Sequence, residues 1–433
     1  MYWLYSALLG LALLLTLPYW LIQMSRHGKY RTGLRERLGR VPARLRADAT
    51  RRAIWVHAVS VGEVRAVSLL VAELRSRFPQ HRVVVSTTTD TGQKLAQKNF
   101  GPENVFYFPL DFAFAIRPYL RTLRPDLAIM VETEFWPNFI RLAHAGGARL
   151  AVVNSRISDR SWPRYRQFRF FYRRILRAID LFLAQTEEDA RRLREMGATP
   201  ERVCVTGNLK FDVPTPAAPA IVASLRASFE QSSAGPVIVC GSTVDEEEPL
   251  LLRAFENILA SHPAAVMILA PRHPERFTVV AQLLEKLGIR FWRRSLWSGD
   301  PVLGGVLLVD SIGELAALYA LADVAFVGGS LVPRGGHNII EAAQQGVPIV
   351  VGSHTENFRD IVKVFRKRDA IRVVSPVELP LVLMELLSNE RERVELGRRG
   401  ADTLESQTGA SSRTVEALER LLKPDPDHVG TGL

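Results

Sequence analysis

Two successive series of alternating β-type and helical patterns constrain the fold of this chain more than any other feature. Apolar runs such as AIWVHAV and DLAIMVE begin near residue 53, and each is followed by a helical pattern. A proline-rich stretch, DVPTPAAPA at 212–220, interrupts the series, which restarts with PVIVCGST and AAVMILAPRH. Such alternation is typical of βαβ units on a parallel sheet. We therefore predict an α/β protein with two facing, doubly wound Rossmann-like domains.

Shifts in composition place the boundaries of these domains. The predicted divisions are, in order, a transmembrane anchor at 1–24, a basic juxtamembrane segment at 25–50, an N-terminal domain at 51–211, a linker at 212–235, a C-terminal domain at 236–422 and a tail at 423–433. Doubly wound sheets bind ligands at the carboxyl ends of their strands, so we expect the site in a cleft between the two domains.

The first 24 residues contain no charged side chain and are almost wholly apolar. About 20 such residues span a bilayer core as a helix. Five arginines and one lysine follow between residues 26 and 40, opposed by a single glutamate. By the positive-inside rule, the rest of the chain is then cytoplasmic. A cleaved signal peptide is the alternative, but its charges would precede the apolar run. We predict a single-pass membrane protein.

The net charge indicates which partners the protein favours, and the cysteine content indicates which cysteine-based sites it lacks. The 433 residues include 56 basic and 45 acidic ones, which gives a net charge of +11. This balance favours anionic partners. Cys204 and Cys240 are the only cysteines, and both lie in apolar runs. A disulfide framework and a cysteine metal cluster are therefore excluded.

A basic and aromatic segment, 156–178, combines arginines with six aromatic side chains. The sequence contains no RNA-binding motif, so nucleic acid is not a predicted partner. We expect one long helix over 158–178 that docks on anionic lipid headgroups or on an anionic lipid acceptor. An ordinary amphipathic helix with a solvated basic face is the alternative interpretation.

Acidic and basic side chains follow three strands of the predicted N-terminal domain. Ser60 and Glu63 have the spacing of a capping box, which alone favours a helix-capping role for Glu63. However, Glu63 also follows the first strand, where active groups of doubly wound sheets collect. Glu132 and Glu134 close DLAIMVE on the same side of that strand, with a solvated rim as the alternative. Lys210 follows RVCV and can reach a phosphate or carboxylate, with a merely solvated lysine as the alternative.

The predicted C-terminal domain contains the stronger signals for a bound nucleotide. Arg272 directly follows a strand, and residues 310–319 open a helix with capping-box spacing. In FVGGSLVPRGGHNIIEAAQQGVPIV (326–350), two glycine pairs allow close backbone approach to a ligand before a helix that we expect to begin near His337. Its start suits a phosphate, and Glu341 one turn later suits ribose hydroxyls. This arrangement predicts a nucleotide-sugar site.

A metal is not predicted. The only Asp-x-Asp sequence, Asp425 to Asp427, lies in the predicted tail. Positive charge for a leaving phosphate must then come from Arg272, Lys210 and helix termini.

Seven motifs in fixed order resemble those of one enzyme family. They are SVGEVRA, VETEFWPN, VVNSRISDRS, TGNLKFD, PRHPERF, GGSLVPRGGHNIIEAA and ENF, spread over about 300 residues. Together they resemble the 3-deoxy-D-manno-octulosonic acid (Kdo) transferases of lipopolysaccharide biosynthesis, which are membrane-anchored glycosyltransferases of the GT-B fold. The chain departs from that family at Ile339, where proline is frequent, and at Ser353 and Thr355, where proline and methionine are common.

The resemblance implies a role for each matching residue. Glu63 corresponds to the general base, and Glu132 and Lys210 correspond to stabilisers of the transition state. The implied CMP-binding residues are Pro271, Arg272, Ile312, Gly313, Glu314, Gly336, His337, Asn338, Ile339, Ile340 and Glu341. We also expect the start of a helix at Glu63 to keep its carboxylate ionised.

The resemblance further implies the reaction and its location. The donor would be CMP-Kdo and the acceptor a lipid A precursor, lipid IVA, with inversion at the anomeric carbon and with neither metal nor cofactor. The enzyme would act at the cytoplasmic face of the bacterial inner membrane. A GT-B transferase with another donor, such as a UDP-hexosamine, is the nearest alternative. A catalytically silent membrane protein that binds anionic lipid or RNA is the alternative from another class.

Overall fold

The chain divides into two compact units in the structure, which is a computed structural model that describes residues 2–27, 32–46, 50–213 and 220–423. Unit 1 comprises Met1–Asp212 and Thr408–Leu433, and unit 2 comprises Val213–Gln407. Parts of the predicted juxtamembrane segment and linker lie outside the described residues, as do the tail from residue 424 and its Asp-x-Asp sequence.

Two sheets form within the described residues, each with seven strands. The strands are β1 Ala53–His57, β2 Arg82–Thr87, β3 Val105–Tyr107, β4 Pro125–Val131, β5 Arg149–Ser155, β6 Leu181–Ala184, β7 Val203–Val205, β8 Val237–Thr243, β9 Val266–Pro271, β10 Phe291–Arg293, β11 Gly305–Leu308, β12 Val324–Val327, β13 Ile349–Gly352 and β14 Arg372–Val374. Every pairing is parallel, which confirms the prediction of two doubly wound α/β units.

Helices connect the strands on both sides of each sheet. They are α1 Tyr2–His27, α2 Leu34–Arg37, α3 Ala43–Arg46, α4 Val61–Ala66, α5 Ser68–Arg77, α6 Asp90–Phe100, α7 Ala113–Leu123, α8 Pro137–Ala145, α9 Trp162–Gln167, α10 Arg169–Leu176, α11 Glu187–Met196, α12 Ala220–Ser232, α13 Glu248–Ser261, α14 Arg276–Leu287, α15 Leu315–Leu318, α16 Ile340–Ala343, α17 Arg359–Lys367, α18 Leu379–Ser388, α19 Glu390–Glu405 and α20 Ala410–Leu422. Short 3₁₀ turns lie at Pro102–Asn104, Pro200–Arg202, Leu209–Phe211, Arg294–Leu296, Tyr319–Leu321 and Glu356–Phe358.

The strand order places a topological switch point in each sheet. In unit 1 the order is β3-β2-β1-β4-β5-β6-β7, so the chain reverses its direction of progress between β1 and β4. In unit 2 the order is β10-β11-β9-β8-β12-β13-β14, and the reversal lies between β8 and β12. Open α/β sheets bind ligands outside the carboxyl ends of the strands at such points. The loops after these four strands are therefore the places to look for a site.

The last helix, α20, belongs to unit 1, although the sequence suggested that residues up to 422 close the second domain. Leu418 and Val415 are buried in the same apolar cluster as Leu74 of α5. The carboxylate of Asp212 accepts hydrogen bonds from the backbone N–H groups of Gly409, at 2.7 Å, and of Ser411. An amphipathic pattern predicts that a helix has a buried side, but not which sheet covers it.

The predicted transmembrane anchor at 1–24 requires correction. Within the part of the chain that the structure describes, no helix combines the length and apolarity needed to cross a membrane. The first turns of α1 pack instead on unit 1. Asn138 donates from Nδ2 to the hydroxyl of Ser6 at 3.0 Å, and the rings of Tyr5 and Phe171 lie 6.5 Å apart. The predicted helix is therefore present, and Tyr5 and Ser6 of its first turns contact the rest of unit 1.

The predicted long helix over 158–178 is also interrupted. α9 ends at Gln167 and α10 begins at Arg169, with Phe168 between them in a non-helical conformation. The rings of Tyr165 and Tyr172 pack edge-on with centroids 4.9 Å apart. Part of the aromatic pattern therefore serves packing within unit 1, whereas Phe168 and Phe170 are exposed.

The assignment of α20 to unit 1 predicts where a core substitution acts. Leu418→Ala should lower the free energy of unfolding of unit 1 by about 2–5 kcal/mol, because it opens a cavity in a fully buried position. Hydrogen exchange of the α5 amides measures this effect. Leu381→Ala on α18, where the leucine is exposed, is the matched control and should change neither unit. Faster exchange in unit 2 alone would contradict the assignment.

Candidate active site

Glu63 lies in the first turn of α4, directly after β1. Its carboxylate accepts hydrogen bonds from the backbone N–H of Val59 at 2.8 Å and from the hydroxyl of Ser60 at 2.9 Å. The Ser60 hydroxyl in turn accepts from the backbone N–H of Glu63. The predicted capping box therefore forms, with the carboxylate reaching back one residue beyond the cap. Both carboxylate oxygens are held, so the side chain has one orientation.

Burial decides the protonation of Glu63. Only 8% of the residue is exposed, and this desolvation raises its pKa from 4.5 to about 7. The negative charges of Glu132 and Glu134 raise it further, whereas the hydrogen bonds from Val59 and Ser60 lower it. The hydrogen bonds at the helix start favour the ionised carboxylate, as expected, but desolvation outweighs them and the net shift of the pKa is upward. A carboxyl with this pKa exchanges protons near neutral pH.

Glu132 and Lys210 form an ion pair beside Glu63. The ammonium of Lys210 lies 3.0 Å from Oε1 of Glu132, and both side chains are partly exposed. Glu132 has φ +60°, a left-handed conformation that is uncommon for a residue other than glycine. Its backbone N–H bonds to the carbonyl of Val153 at the end of β5. Strained backbone of this kind concentrates at functional sites.

Two asparagines that the sequence analysis did not single out hold Lys210 in place. Asn154, at φ +53° near the end of β5, accepts the backbone N–H of Leu209 at 3.0 Å. Asn208 accepts the backbone N–H of Lys210 through its own side chain, also at 3.0 Å. Asn154 lies in VVNS at the end of a strand, and Asn208 lies in TGNL in the loop after a strand. These positions at strand ends were the sequence signal that could have identified both residues.

Glu134 also lies near this group, as its position in the sequence predicts. Burial raises the pKa of its carboxyl, and the charge of Glu132 raises it further. Unit 1 thus brings together three carboxylates and one ammonium at the switch point of its sheet. Such a group can accept a proton from a neutral nucleophile while it presents positive charge to an anion.

The predicted donor residues in unit 2 follow three strands, β9, β11 and β12. Arg272 follows Pro271 at the end of β9, where its backbone N–H bonds to the carbonyl of Thr243, and its side chain is exposed. The Nδ1 atom of His337 donates to the carbonyl of Gly328 at 2.9 Å. Burial and the charge of Arg272 lower the pKa of His337, so the ring is neutral at pH 7. Arg272 thus presents a positive charge to solvent beside a neutral ring.

The helix expected near His337 begins later and is short. Gly335 and Gly336 have φ of +87° and +74°, and α16 starts only at Ile340 and spans four residues. Asn338 accepts the backbone N–H of Ile340 at 3.1 Å. The side chain of Ile340 is buried in the core, as is that of Ile339. These two isoleucines therefore support the loop from the core and present almost no surface to a ligand.

Other predicted residues lie close to partners within the protein. Glu341 lies 3.4 Å from the side-chain amide of Asn338. Glu314 precedes the four-residue helix α15, and its carboxylate pairs with Arg294 at 2.6 Å. Gly313 has φ +95°, and Ile312 is 79% exposed. The predicted capping box at 311–314 forms only in part, through the hydroxyl of Ser311 and this carboxylate.

Solved structures that match most of this chain show its fold class. A glycosyltransferase from Rickettsia africae is 14% identical, with a TM-score of 0.53, and covers 87% of this chain and 100% of its own. The UDP-GlcNAc 2-epimerase from Neisseria meningitidis is 13% identical, with a TM-score of 0.52 over 85% of this chain and 100% of its own. At this identity the likeness concerns the fold alone, which is the two-domain GT-B fold.

Sequence relatives then identify the family. Residues 32–213 match a family model described as 3-deoxy-D-manno-octulosonic-acid transferase. The 3-deoxy-D-manno-octulosonic acid transferase of Haemophilus influenzae is 35% identical over 86% of this chain and 87% of its own. That of Bordetella pertussis is 36% identical over 95% and 97%. The chain belongs to the Kdo transferase family, which confirms the resemblance, and it is a glycosyltransferase of lipopolysaccharide biosynthesis.

The raised pKa of Glu63 predicts how its removal changes stability with pH. A carboxyl whose pKa is higher in the folded protein contributes stability below its unfolded pKa and loses that contribution as pH rises through the folded pKa. The wild type should therefore lose stability as pH rises from 4.5 to 8, whereas Glu63→Gln should not. Over this range the free energy of unfolding of Glu63→Gln, minus that of the wild type, should increase by about 1–3 kcal/mol. Urea denaturation at a series of pH values measures this gain. A difference between the two proteins that does not vary with pH would contradict the raised pKa.

Proposed function

We propose that this Kdo transferase takes Kdo from CMP-Kdo and transfers it, with inversion, to a lipid A precursor, lipid IVA, with Glu63 as the general base. The buried Glu63 carboxylate is the observation that carries the proposal. Its pKa of about 7 lies where a general base is most effective at physiological pH. It also lies at the switch point of a doubly wound sheet, where such folds bind their ligands.

The proposed step needs one base. The acceptor hydroxyl oxygen attacks the anomeric carbon of Kdo, and its proton passes to the carboxylate of Glu63. The bond between that carbon and the phosphate oxygen breaks, and its electron pair leaves with CMP. A single displacement of this kind inverts the anomeric configuration. The hydrogen bonds from Val59 and Ser60 keep the carboxylate oriented while it changes charge.

The ion pair beside Glu63 supplies fixed charge for the same step. We assign Lys210 and Glu132 to stabilisation of the transition state, since the ammonium suits the anionic donor and the carboxylate holds that ammonium in position. Placement of Lys210 depends on the bond that Asn154 makes to the backbone beside it. Side chains, rather than a metal, supply the positive charge in this proposal.

The donor would bind to unit 2 through its phosphate and nucleoside. Arg272 carries an exposed positive charge next to the neutral ring of His337, which suits a phosphodiester. The glycines at 335 and 336 leave backbone open to close approach. We assign Pro271, Asn338 and Glu341 to the nucleoside. We also assign residues 312–314 and 339–340 to the nucleoside site; within this group Ile312 is exposed, Glu314 is paired with Arg294, and the isoleucines at 339 and 340 support the site from the core.

The proposed acceptor is a lipid, so we place the reaction at the cytoplasmic face of the bacterial inner membrane. Arg169 and Arg173 of α10, Arg177 directly after it and Arg194 of α11 line an open cavity of about 700 Å³. Phe170 lies beside them and is 89% exposed. Basic and aromatic side chains together suit an anionic headgroup layer.

A transfer assay with labelled CMP-Kdo and tetraacylated lipid A precursor tests the proposed base. Glu63→Gln should reduce kcat by about 10²–10⁴-fold, because general base catalysis is worth that much. Its affinity for CMP should stay within about threefold, because CMP is assigned to other residues. Glu73→Gln on α5 is the matched control and should transfer normally, since Glu73 contacts Ser412 rather than the site.

The outcomes of this assay separate the alternatives. Normal transfer by a folded Glu63→Gln protein would reduce Glu63 to a helix cap and remove the proposed base. A folded wild type that is inactive with CMP-Kdo but binds uridine nucleotides would contradict the proposed donor. Product masses count the Kdo groups that are added.

A further inference from the structure

Glu247 is a fully buried carboxylate in unit 2, at the residue that precedes α13. Its two oxygens accept four backbone N–H groups. Oε2 accepts those of Val244 at 3.2 Å and Gly329 at 2.7 Å, and Oε1 accepts those of Ser330 and Leu331, each at 2.8 Å. Three of the four donors are consecutive residues in the loop after β12. One side chain therefore binds a whole turn of backbone.

The four hydrogen bonds offset the unfavourable burial of the Glu247 carboxylate. Burial alone raises the pKa of Glu247, and the four N–H groups lower it. No lysine or arginine of the described residues pairs with it. A buried carboxylate without a cation is costly, and only complete hydrogen bonding makes it tolerable. The loop conformation and the carboxylate thus depend on each other.

The turn that Glu247 binds contacts the glycine and the histidine that we assign to the donor site. Gly329 has φ +70°, and its carbonyl accepts the backbone N–H of Gly336 at 2.7 Å. The neighbouring carbonyl of Gly328 accepts from His337. The hydroxyl of Ser330 links β12 to β13, because it donates to the carbonyl of Val327 at 2.6 Å and accepts the backbone N–H of Gly352 at 2.8 Å. Displacement of this turn would move the glycines and the histidine assigned to the donor.

We propose that Glu247 is a positioning residue for donor binding. Its carboxylate fixes residues 329–331, and through them the backbone at 336 and the ring of His337. Glu247 itself lies beneath the turn, within 2.9 Å of where a side chain on Gly328 would begin, and is closed to solvent. This inference rests on the proposed assignment of the donor to unit 2.

The adjacent residue provides a matched control. Glu248 is equally buried, but its carboxylate pairs with Arg276 at 2.9 Å and makes no hydrogen bond to the turn. Glu247→Gln places an amide donor against N–H groups that need an acceptor, so two of the four bonds are lost. Glu248→Gln also removes a buried carboxylate, but one that does not contact the turn. Both substitutions should lower thermal stability.

Calorimetric titration with CMP separates positioning from stability. Glu247→Gln should raise the Kd for CMP about tenfold or more and raise KM for CMP-Kdo more than it lowers kcat. Glu248→Gln should leave the Kd within about threefold. Wild-type affinity in a folded Glu247→Gln protein would overturn the inference. A wild type that does not bind CMP would instead contradict the proposed donor.

Hydrogen exchange on the wild-type protein tests the same contacts if Glu247→Gln does not fold. The amides of Gly329, Ser330 and Leu331 should exchange as slowly as those of β12, although they lie outside the sheet. Exchange at the rate of an open loop would overturn the inference whatever the protein binds.

Discussion

The account depends on the burial of one carboxylate, Glu63, against the end of β1. Local hydrogen bonds from Val59 and Ser60 favour its ionised form, whereas desolvation and the charges of Glu132 and Glu134 favour its protonated form. Desolvation is the largest of these effects, and the pKa settles at about 7. Helix capping and proton transfer are therefore compatible roles. The hydrogen bonds that cap α4 also orient the carboxylate. Burial raises its pKa and so makes it a stronger base.

Both units use acidic side chains to fix backbone where strands end. Glu63 holds the loop after β1, and Glu247 holds the turn after β12. Asp111 accepts the first N–H groups of α8 in the same way, at 3.0 Å and 2.8 Å. The carboxyl ends of parallel strands leave backbone N–H groups that helices and sheets do not satisfy. Buried carboxylates satisfy them and make these loops rigid enough to bear a site.

The sequence was sufficient for features that depend on local spacing. Alternating runs indicated both sheets, and the three-residue spacing of Ser60 and Glu63 indicated the capping box. Features that depend on which other part of the protein a segment packs against were not predictable from the sequence. The pattern of α20 does not specify the sheet on which it packs, and apolar composition at 1–24 does not indicate that Ser6 contacts Asn138. The pKa of Glu63 likewise follows from tertiary burial.

Direct titration of the Glu63 carboxyl tests the central claim most closely. Carbon-13 NMR of the full chain with labelled glutamate would follow each carboxyl with pH, and the signal missing from Glu63→Gln would assign this one. The account predicts a midpoint near pH 7. A midpoint near 4.5, the ordinary value for glutamate, would mean that burial does not control this group. Glu63 would then be a helix cap on the surface of a site whose base lies elsewhere.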